Sequence, residues 1–95
     1  MILSFKDKET EKIFNEEFSK KLPQDIQNRA KKTLIILNTV NSLVDLAKSP
    51  SNKLEPLLGK RTGEWSIRIN DQWRITFTPV NNGADYDKVS IEDYH

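Results

Sequence analysis

The chain has no cysteine and a single histidine, His95, and these shortages exclude several kinds of site. Without cysteine there is no disulfide framework and no thiolate metal site. One imidazole cannot make a histidine-rich zinc site. No apolar run approaches the roughly 20 residues that span a bilayer, and the segment from Met1 to Lys8 lacks the long apolar core of a secretory signal. The sequence predicts one cytoplasmic domain, residues 1–95.

Neither sign of charge dominates, because the chain has 15 basic and 14 acidic residues. The distribution is less even than the total. Residues 48–74 hold six basic and three acidic side chains, whereas residues 75–95 hold one basic and four acidic. A basic middle segment favours a polyanionic ligand. An ordinary solvated surface explains the same charges, so charge alone leaves both interpretations open.

Helical periodicity predicts two helices before residue 49. Phe14 and Phe18 lie one turn apart and predict a short helix between Lys8 and Phe18. Pro23 is suited to the first position of a second, longer helix. The segment 49–52 breaks the pattern and predicts a loop. The apolar stripe of the long helix comprises Ile26, Ala30, Thr33, Leu34, Leu37, Val40 and Val44.

The second half of the chain alternates apolar and polar residues, which is typical of strands with one buried face. A first strand is predicted at Met1–Phe5, a turn at 79–83 and a last strand from Tyr86 to Asp93, with Val89 and Ile91 inward. The predicted class is α+β in the order β-α-α-β-β-β, a small antiparallel sheet with a helical hairpin on one face. The inward residues of the two central strands, predicted to be core, are Trp65, Ile67, Ile69, Trp73, Ile75 and Phe77.

The register of the central hairpin follows from this alternation. A three-residue loop of Asn70, Asp71 and Gln72 sets Ile69 opposite Trp73 and keeps all the apolar residues on one face. A loop one residue shorter would mix the two faces, because a slip of one residue turns every side chain over. The same register places Arg68 directly opposite Arg74.

Two arginines directly opposite each other on neighbouring strands destabilise a sheet by roughly a few tenths of a kcal/mol. Their planar guanidinium groups fit phosphate oxygens in bidentate fashion. The pair therefore predicts a phosphate site, unless Glu92 or Asp93 neutralises it. We expect both arginines to lie on the surface, so that removing either one leaves the fold intact.

Residues 63–77, with the pattern W-S-I-x-x-x-x-x-W-R-I-x-F, and the closing E-D-Y-H of residues 92–95 resemble the HigB toxins of the RelE superfamily. The opening I-L-S-F-K of residues 2–6 fits as well, so the resemblance runs nearly end to end. It implies a ribosome-dependent endoribonuclease that cleaves messenger RNA in the decoding site and inhibits translation. It also implies a reaction without metal or other cofactor, in which the 2′-OH of the messenger attacks the adjacent phosphodiester and leaves a cyclic phosphate.

The resemblance also implies partners. These are the 30S or 70S ribosome with its messenger, and a HigA-like helix-turn-helix antitoxin encoded by a neighbouring gene. The toxin is expected to be a monomer alone and a heterotetramer with its antitoxin. One departure from the family is clear: Glu55 and Leu58 stand where better-known members have a histidine and a lysine. The alternative function is therefore a catalytically weak module that acts through antitoxin binding and operon autoregulation.

The residues predicted to carry catalysis are Arg68, Arg74, Asp93, Tyr94 and His95. The arginines would face the charge of the phosphorane, and His95 has the side chain with an ordinary pKa near neutrality. As the last residue, His95 is alternatively a terminus without a role. Tyr94 would stack on a base or join the proton network, or else simply pack at a strand end. Asp93 would orient His95 or hold an arginine.

Three further cations are predicted to contact the RNA backbone, where such contacts set position and affinity rather than sequence choice. They are Lys53, Lys60 and Arg61.

Overall fold

A computed structural model describes residues 1–93 of the chain, so Tyr94 and His95 lie outside the described residues. Four strands of this range form one antiparallel sheet in which their spatial order follows the chain order, which confirms the α+β class. No helix in this described range is long and apolar enough to cross a membrane. The elements are α1 (Lys8–Phe14), α2 (Gln24–Thr39), α3 (Leu43–Ala47), β1 (Glu55–Pro56), β2 (Trp65–Arg68), β3 (Trp73–Val80) and β4 (Asp85–Asp93), with short 3₁₀ turns at Pro50–Asn52, Gly59–Arg61 and Asn81–Gly83.

The first two helices pack on one face of the sheet and enclose the core with it. Ile67, Ile75 and Phe77 supply the sheet side and are fully buried. Trp65 and Trp73 pack against this core while remaining partly exposed. The helical side of the core consists of Ile13, Ile26, Ala30, Leu34, Leu37 and Leu46.

Helix α1 begins where the Asp7 carboxylate accepts a hydrogen bond of 2.7 Å from the Thr10 amide. It ends at Phe14, four residues before the predicted end, because Glu16 adopts a left-handed conformation with φ 66°. A left-handed residue terminates a helix. Phe18 therefore lies outside the apolar stripe, 59% exposed, and its predicted place in the helix was wrong.

The predicted long helix was also wrong beyond Thr39. Val40 is extended, and Ser42 then caps a separate helix α3 by accepting a hydrogen bond from the Asp45 amide. A serine side chain that bonds the backbone offers it an alternative to continuing a helix. Val44 consequently points outward and is 69% exposed, although its spacing matches the stripe.

The predicted register of the central hairpin is confirmed. Trp65 pairs with Phe77, Ile67 with Ile75 and Arg68 with Arg74. The Ile69 amide donates to the Trp73 carbonyl at 2.9 Å, so the connection is the predicted three-residue loop.

The chain start is not the regular strand that was predicted. Ile2 and Phe5 form isolated parallel bridges with Tyr86 and Val89 of β4. Between them β4 bulges, where Lys88 has φ 52° and the pairing with β3 shifts. The extra residue of a bulge interrupts the ladder, and this prevents a continuous first strand. The short strand β1 was not predicted at all.

Tyr86 generates a stability prediction. Its ring is fully buried and meets the edge of Phe77 with centroids 5.1 Å apart, while its hydroxyl has no hydrogen-bond partner among the described residues. Burial raises the pKa of this hydroxyl. Since a buried unsatisfied group is costly, Tyr86→Phe should raise the free energy of unfolding by about 1 kcal/mol. Urea unfolding measures the change. A clear loss of stability would mean that the hydroxyl is satisfied after all, and Tyr86→Leu is the control that removes the ring contact.

Candidate active-site cleft

A cleft of about 220 Å³ lies on the polar face of the sheet, opposite the helices. Its floor consists of side chains from β2, β3 and β4, and its wall is the segment that contains the Gly59–Arg61 turn. The lining residues are Leu57, Leu58, Arg61, Ser66, Arg74, Thr76, Glu92 and Asp93.

The floor of this cleft is unexpectedly buried. The sequence predicted one buried face for each strand, but Ser66, Arg74 and Thr76 on the polar face are also buried. The cause is the connection between α3 and β2, which folds back so that Glu55 of β1 pairs with Ser66 of β2. Part of the sheet is thus covered on both sides.

Arg74 lies in the buried floor of the cleft, where its side chain is held by several hydrogen bonds. It is only 6% exposed, and its Nε donates to Ser66 Oγ at 2.8 Å. Its Nη2 donates to the Lys53 carbonyl at 2.5 Å and lies 4.0 Å from a Glu55 carboxylate oxygen. Lys53 presents this carbonyl from a left-handed conformation with φ 44°. The expectation of a surface arginine was therefore wrong for Arg74, whose charge is held in one place.

Arg68 lies opposite Arg74 in the register but takes a different partner. Its guanidinium pairs with Asp71 of the hairpin loop. The two like charges are thus separated by their hydrogen bonds, and Arg68 is not among the residues that line the cleft. Asp71 was not among the neutralising groups that the sequence suggested.

Arg61 bridges two carboxylates. Its guanidinium donates two hydrogen bonds of 2.7 Å to Glu92 and two, of 2.8 and 3.0 Å, to Glu64. Glu92 also accepts from the Thr76 hydroxyl at 2.5 Å. The hydrogen bonds from Arg61, followed by that from Thr76, lower the pKa of Glu92 against the opposing effect of burial. Arg61 likewise lowers the pKa of Glu64, so both carboxylates are ionised at neutral pH.

The structure brings together only part of the predicted site. Arg74, Arg61 and Asp93 line the cleft, and Asp93 accepts a hydrogen bond of 3.0 Å from the Gln72 side chain. Lys53 and Lys60 are exposed and lie outside its lining. The predicted roles of Tyr94 and His95 fall outside the described residues, directly after the Asp93 end of β4.

Sequence reasoning missed three residues of the cleft and named a fourth, Glu92, only as a group that could neutralise the arginine pair. Ser66 and Thr76 could have been found, because the hairpin register places them on the same face as Arg74. Glu92 pairs with Arg74 across β3 and β4, but that register depends on the bulge. Leu57 follows from no sequence signal, since it reaches the cleft through the fold of its loop.

Residues 3–95 match the profile of a family described as the RelE-like toxin of type II toxin–antitoxin system HigB. The chain belongs to this HigB-like toxin family. An endoribonuclease HigB from Proteus vulgaris is 35% identical over 95 residues, which is all of both chains. Toxin HigB-1 from Vibrio cholerae is 36% identical over 85 residues, covering 88% of this chain and 90% of the other.

Solved structures of related toxins show the same fold as this HigB-like chain. A YoeB/ParE toxin from Agrobacterium tumefaciens matches with a TM-score of 0.59 and 16% identity, over 99% of this chain and 98% of that one. YafQ from Escherichia coli matches with a TM-score of 0.57 and 12% identity, over 97% and 92%. At such identities the likeness establishes the fold alone.

The different surroundings of the two arginines predict different effects of their removal. Arg74→Ala should lower the free energy of unfolding by roughly 1–3 kcal/mol, because Ser66 and the Lys53 carbonyl lose a buried partner. Arg68→Ala should change it by no more than about 0.5 kcal/mol, since an exposed pair with Asp71 contributes little. Chemical denaturation of both variants compares them. Equal losses would contradict the buried arrangement of Arg74.

Proposed function

We propose that this HigB-family toxin is an endoribonuclease that cleaves messenger RNA bound in the decoding site of the ribosome and so inhibits translation in the cytoplasm. The observation that carries the proposal is the fixed guanidinium of Arg74 in an open cleft. A charge held in place before the reaction stabilises a developing anion without reorganisation. The sequence identity of 35%, over the full length, to a protein named endoribonuclease HigB supports the same activity.

The proposed reaction needs no group beyond the chain and its substrate. The 2′-oxygen of the messenger attacks the adjacent phosphorus and loses its proton to a base. The bond from phosphorus to the 5′-oxygen breaks, and that oxygen takes up a proton. The products are a 2′,3′-cyclic phosphate and a 5′-hydroxyl. Arg74 would stabilise the negative charge on the phosphorane between these two steps.

The remaining roles are proposed for residues around and beyond the end of β4. His95 would transfer protons, since imidazole is the side-chain group whose ordinary pKa lies near neutrality. Tyr94 would stack on a base of the messenger, and Asp93 would orient His95. Arg68, Lys53 and Lys60 would contact the RNA backbone outside the cleft. We also propose a HigA-like helix-turn-helix antitoxin as the partner that silences the toxin in a heterotetramer.

A weakly catalytic module is the second candidate, and one feature of the cleft favours it. Glu55, where related toxins have histidine, places a carboxylate 4.0 Å from Arg74 and offsets part of its charge. Such a protein would act through antitoxin binding and operon autoregulation. Induction without the antitoxin separates the two candidates: growth arrest with new messenger 5′ ends supports the nuclease, and normal growth supports the module.

Ribosome dependence is the first expectation. A chain with net charge +1 has little general affinity for RNA, because nonspecific binding relies on neutralised phosphates. The purified toxin should leave naked messenger intact and cleave the same messenger on a programmed ribosome. Mapping of 5′ ends in the two reactions measures this. Efficient cleavage of naked RNA at equal concentrations would refute ribosome dependence.

The exposed Leu58 at the edge of the cleft leads to a gain-of-function expectation. Its side chain is 82% exposed, so a lysine there disturbs no packing. A cation facing the scissile phosphate in a partly desolvated site contributes up to several kcal/mol, roughly. Leu58→Lys should therefore cleave programmed messenger faster with unchanged ribosome affinity and melting temperature. Single-turnover rates test this. A folded variant with an unchanged rate would show that position 58 does not face the phosphate.

A further inference from the structure

Arg61 has the charge of an RNA-binding residue but not the surroundings of one. Four hydrogen bonds of 2.7 to 3.0 Å commit its guanidinium to Glu64 and Glu92. Charge-assisted, bidentate bonds of this kind are among the strongest that side chains make. Four of its five N–H groups are thus engaged, and a phosphate that approached this side chain would meet the negative charge of both carboxylates.

The same bonds connect segments that are distant in the chain. Arg61 ends the turn Gly59–Arg61 in the wall of the cleft, and Glu92 lies 31 residues later, in β4. Thr76 ties Glu92 to β3, so the clamp joins the wall to two strands of the floor. Asp93, which lines the cleft, is the next residue after Glu92.

The backbone of the wall is bonded to β2 at its start, through β1, and to itself beyond that point. The Leu57 amide donates to the Glu64 carbonyl at 2.8 Å, and the Glu64 amide donates to the Arg61 carbonyl at 3.0 Å. These backbone bonds close the loop on itself. Among the side chains of the wall, that of Arg61 bonds to the floor of the cleft. The side chains of Leu58 and Lys60 are exposed.

We propose that Arg61 is a positioning residue, which clamps the wall of the cleft to Glu92 and thereby holds Leu57, Leu58 and the Asp93 end of β4 in place for cleavage. This inference rests on the proposed nuclease function. It replaces the predicted contact of Arg61 with the RNA backbone. Glu92 is the matching half of the clamp and does not touch the substrate.

A double-mutant cycle on programmed ribosomes tests the proposal. Arg61→Gln and Glu92→Gln should each lower the maximal cleavage rate roughly ten- to hundredfold, because displacement of reacting groups by an ångström has effects of that size. KM should be unchanged. The double variant should be no worse than Arg61→Gln alone, since the bonds to Arg61 that the Glu92 substitution removes are ones that Arg61→Gln has already removed. Arg61→Lys should not restore the rate, because an ammonium group cannot bridge two carboxylates in bidentate fashion.

The matched control is Arg29→Gln, which removes an exposed arginine of α2 and should leave the rate unchanged. If Arg61 instead binds RNA, Arg61→Gln should raise KM, and Glu92→Gln, which frees the guanidinium, should lower it. Additive effects in the double variant or a change confined to KM would overturn the clamp. A melting temperature measured for each variant identifies loss of rate that merely follows unfolding.

Amide hydrogen exchange tests the clamp without any cleavage assay. Arg61→Gln and Glu92→Gln should each speed exchange at Leu57 and Glu64 at least tenfold, while the buried amides of Ile67 and Ile75 keep their protection. Unchanged exchange at Leu57 would overturn the proposal. Faster exchange in a toxin that cleaves nothing on the ribosome would instead confirm the clamp and refute the nuclease function.

Discussion

The burial of the Arg74 guanidinium is the constraint on which the polar side of this protein depends. Removing a charge from water costs several kcal/mol, roughly, unless hydrogen bonds and an opposite charge replace the lost hydration. Ser66 supplies one acceptor from the neighbouring strand, and the backbone carbonyl of Lys53 supplies another. That carbonyl is available only because the chain before β2 folds back across the sheet. The short strand β1 and the cleft wall are consequences of this return.

The two faces of the sheet therefore serve different purposes. One face packs Ile67, Ile75 and Phe77 against the helices, and this core stabilises the fold. The other face carries ionised groups in fixed positions beside an open cleft. Because neighbouring residues of a strand point to opposite faces, the rigid core immediately behind Arg74 holds the backbone from which its side chain extends. A site on strands of this kind is positioned more accurately than one on a free loop.

The charges of the cleft are organised as two separate groups. Arg74 is held by neutral acceptors with Glu55 nearby, whereas Arg61 donates to the carboxylates of Glu64 and Glu92. The first arrangement leaves the Glu55 carboxylate 4.0 Å away, whereas the second places both carboxylates in direct contact with the guanidinium. Arg61 and Arg74, two cations of the same basic segment, thus have different surroundings. Membership of the HigB-like family, which relates this chain to known toxins over its full length, does not by itself distinguish them.

Alternation of apolar and polar residues was sufficient to predict the central hairpin, its register and the opposition of Arg68 to Arg74, because strand periodicity is a local property with a single buried solution. Helix boundaries were predicted less well. The left-handed Glu16 and the cap at Ser42 end helices whose apolar spacing continues beyond them. At these two places the local backbone conformation and a side-chain cap decide where the helix ends, although the apolar spacing continues.

The fold class and the core face of the sheet follow from the sequence alone, because helix and strand periodicity are carried by residues close together in the chain. The resemblance that identifies the family follows from it as well, through motifs spread from one end of the chain to the other. The surroundings of the individual cations depend on tertiary contacts. Arg61 and Glu92 are 31 residues apart, and their pairing depends on a bulged register and a folded-back loop. Burial of Arg74 likewise requires a carbonyl 21 residues away. The electrostatic role of a side chain is set by neighbours that long-range folding brings to it, and no local pattern records them.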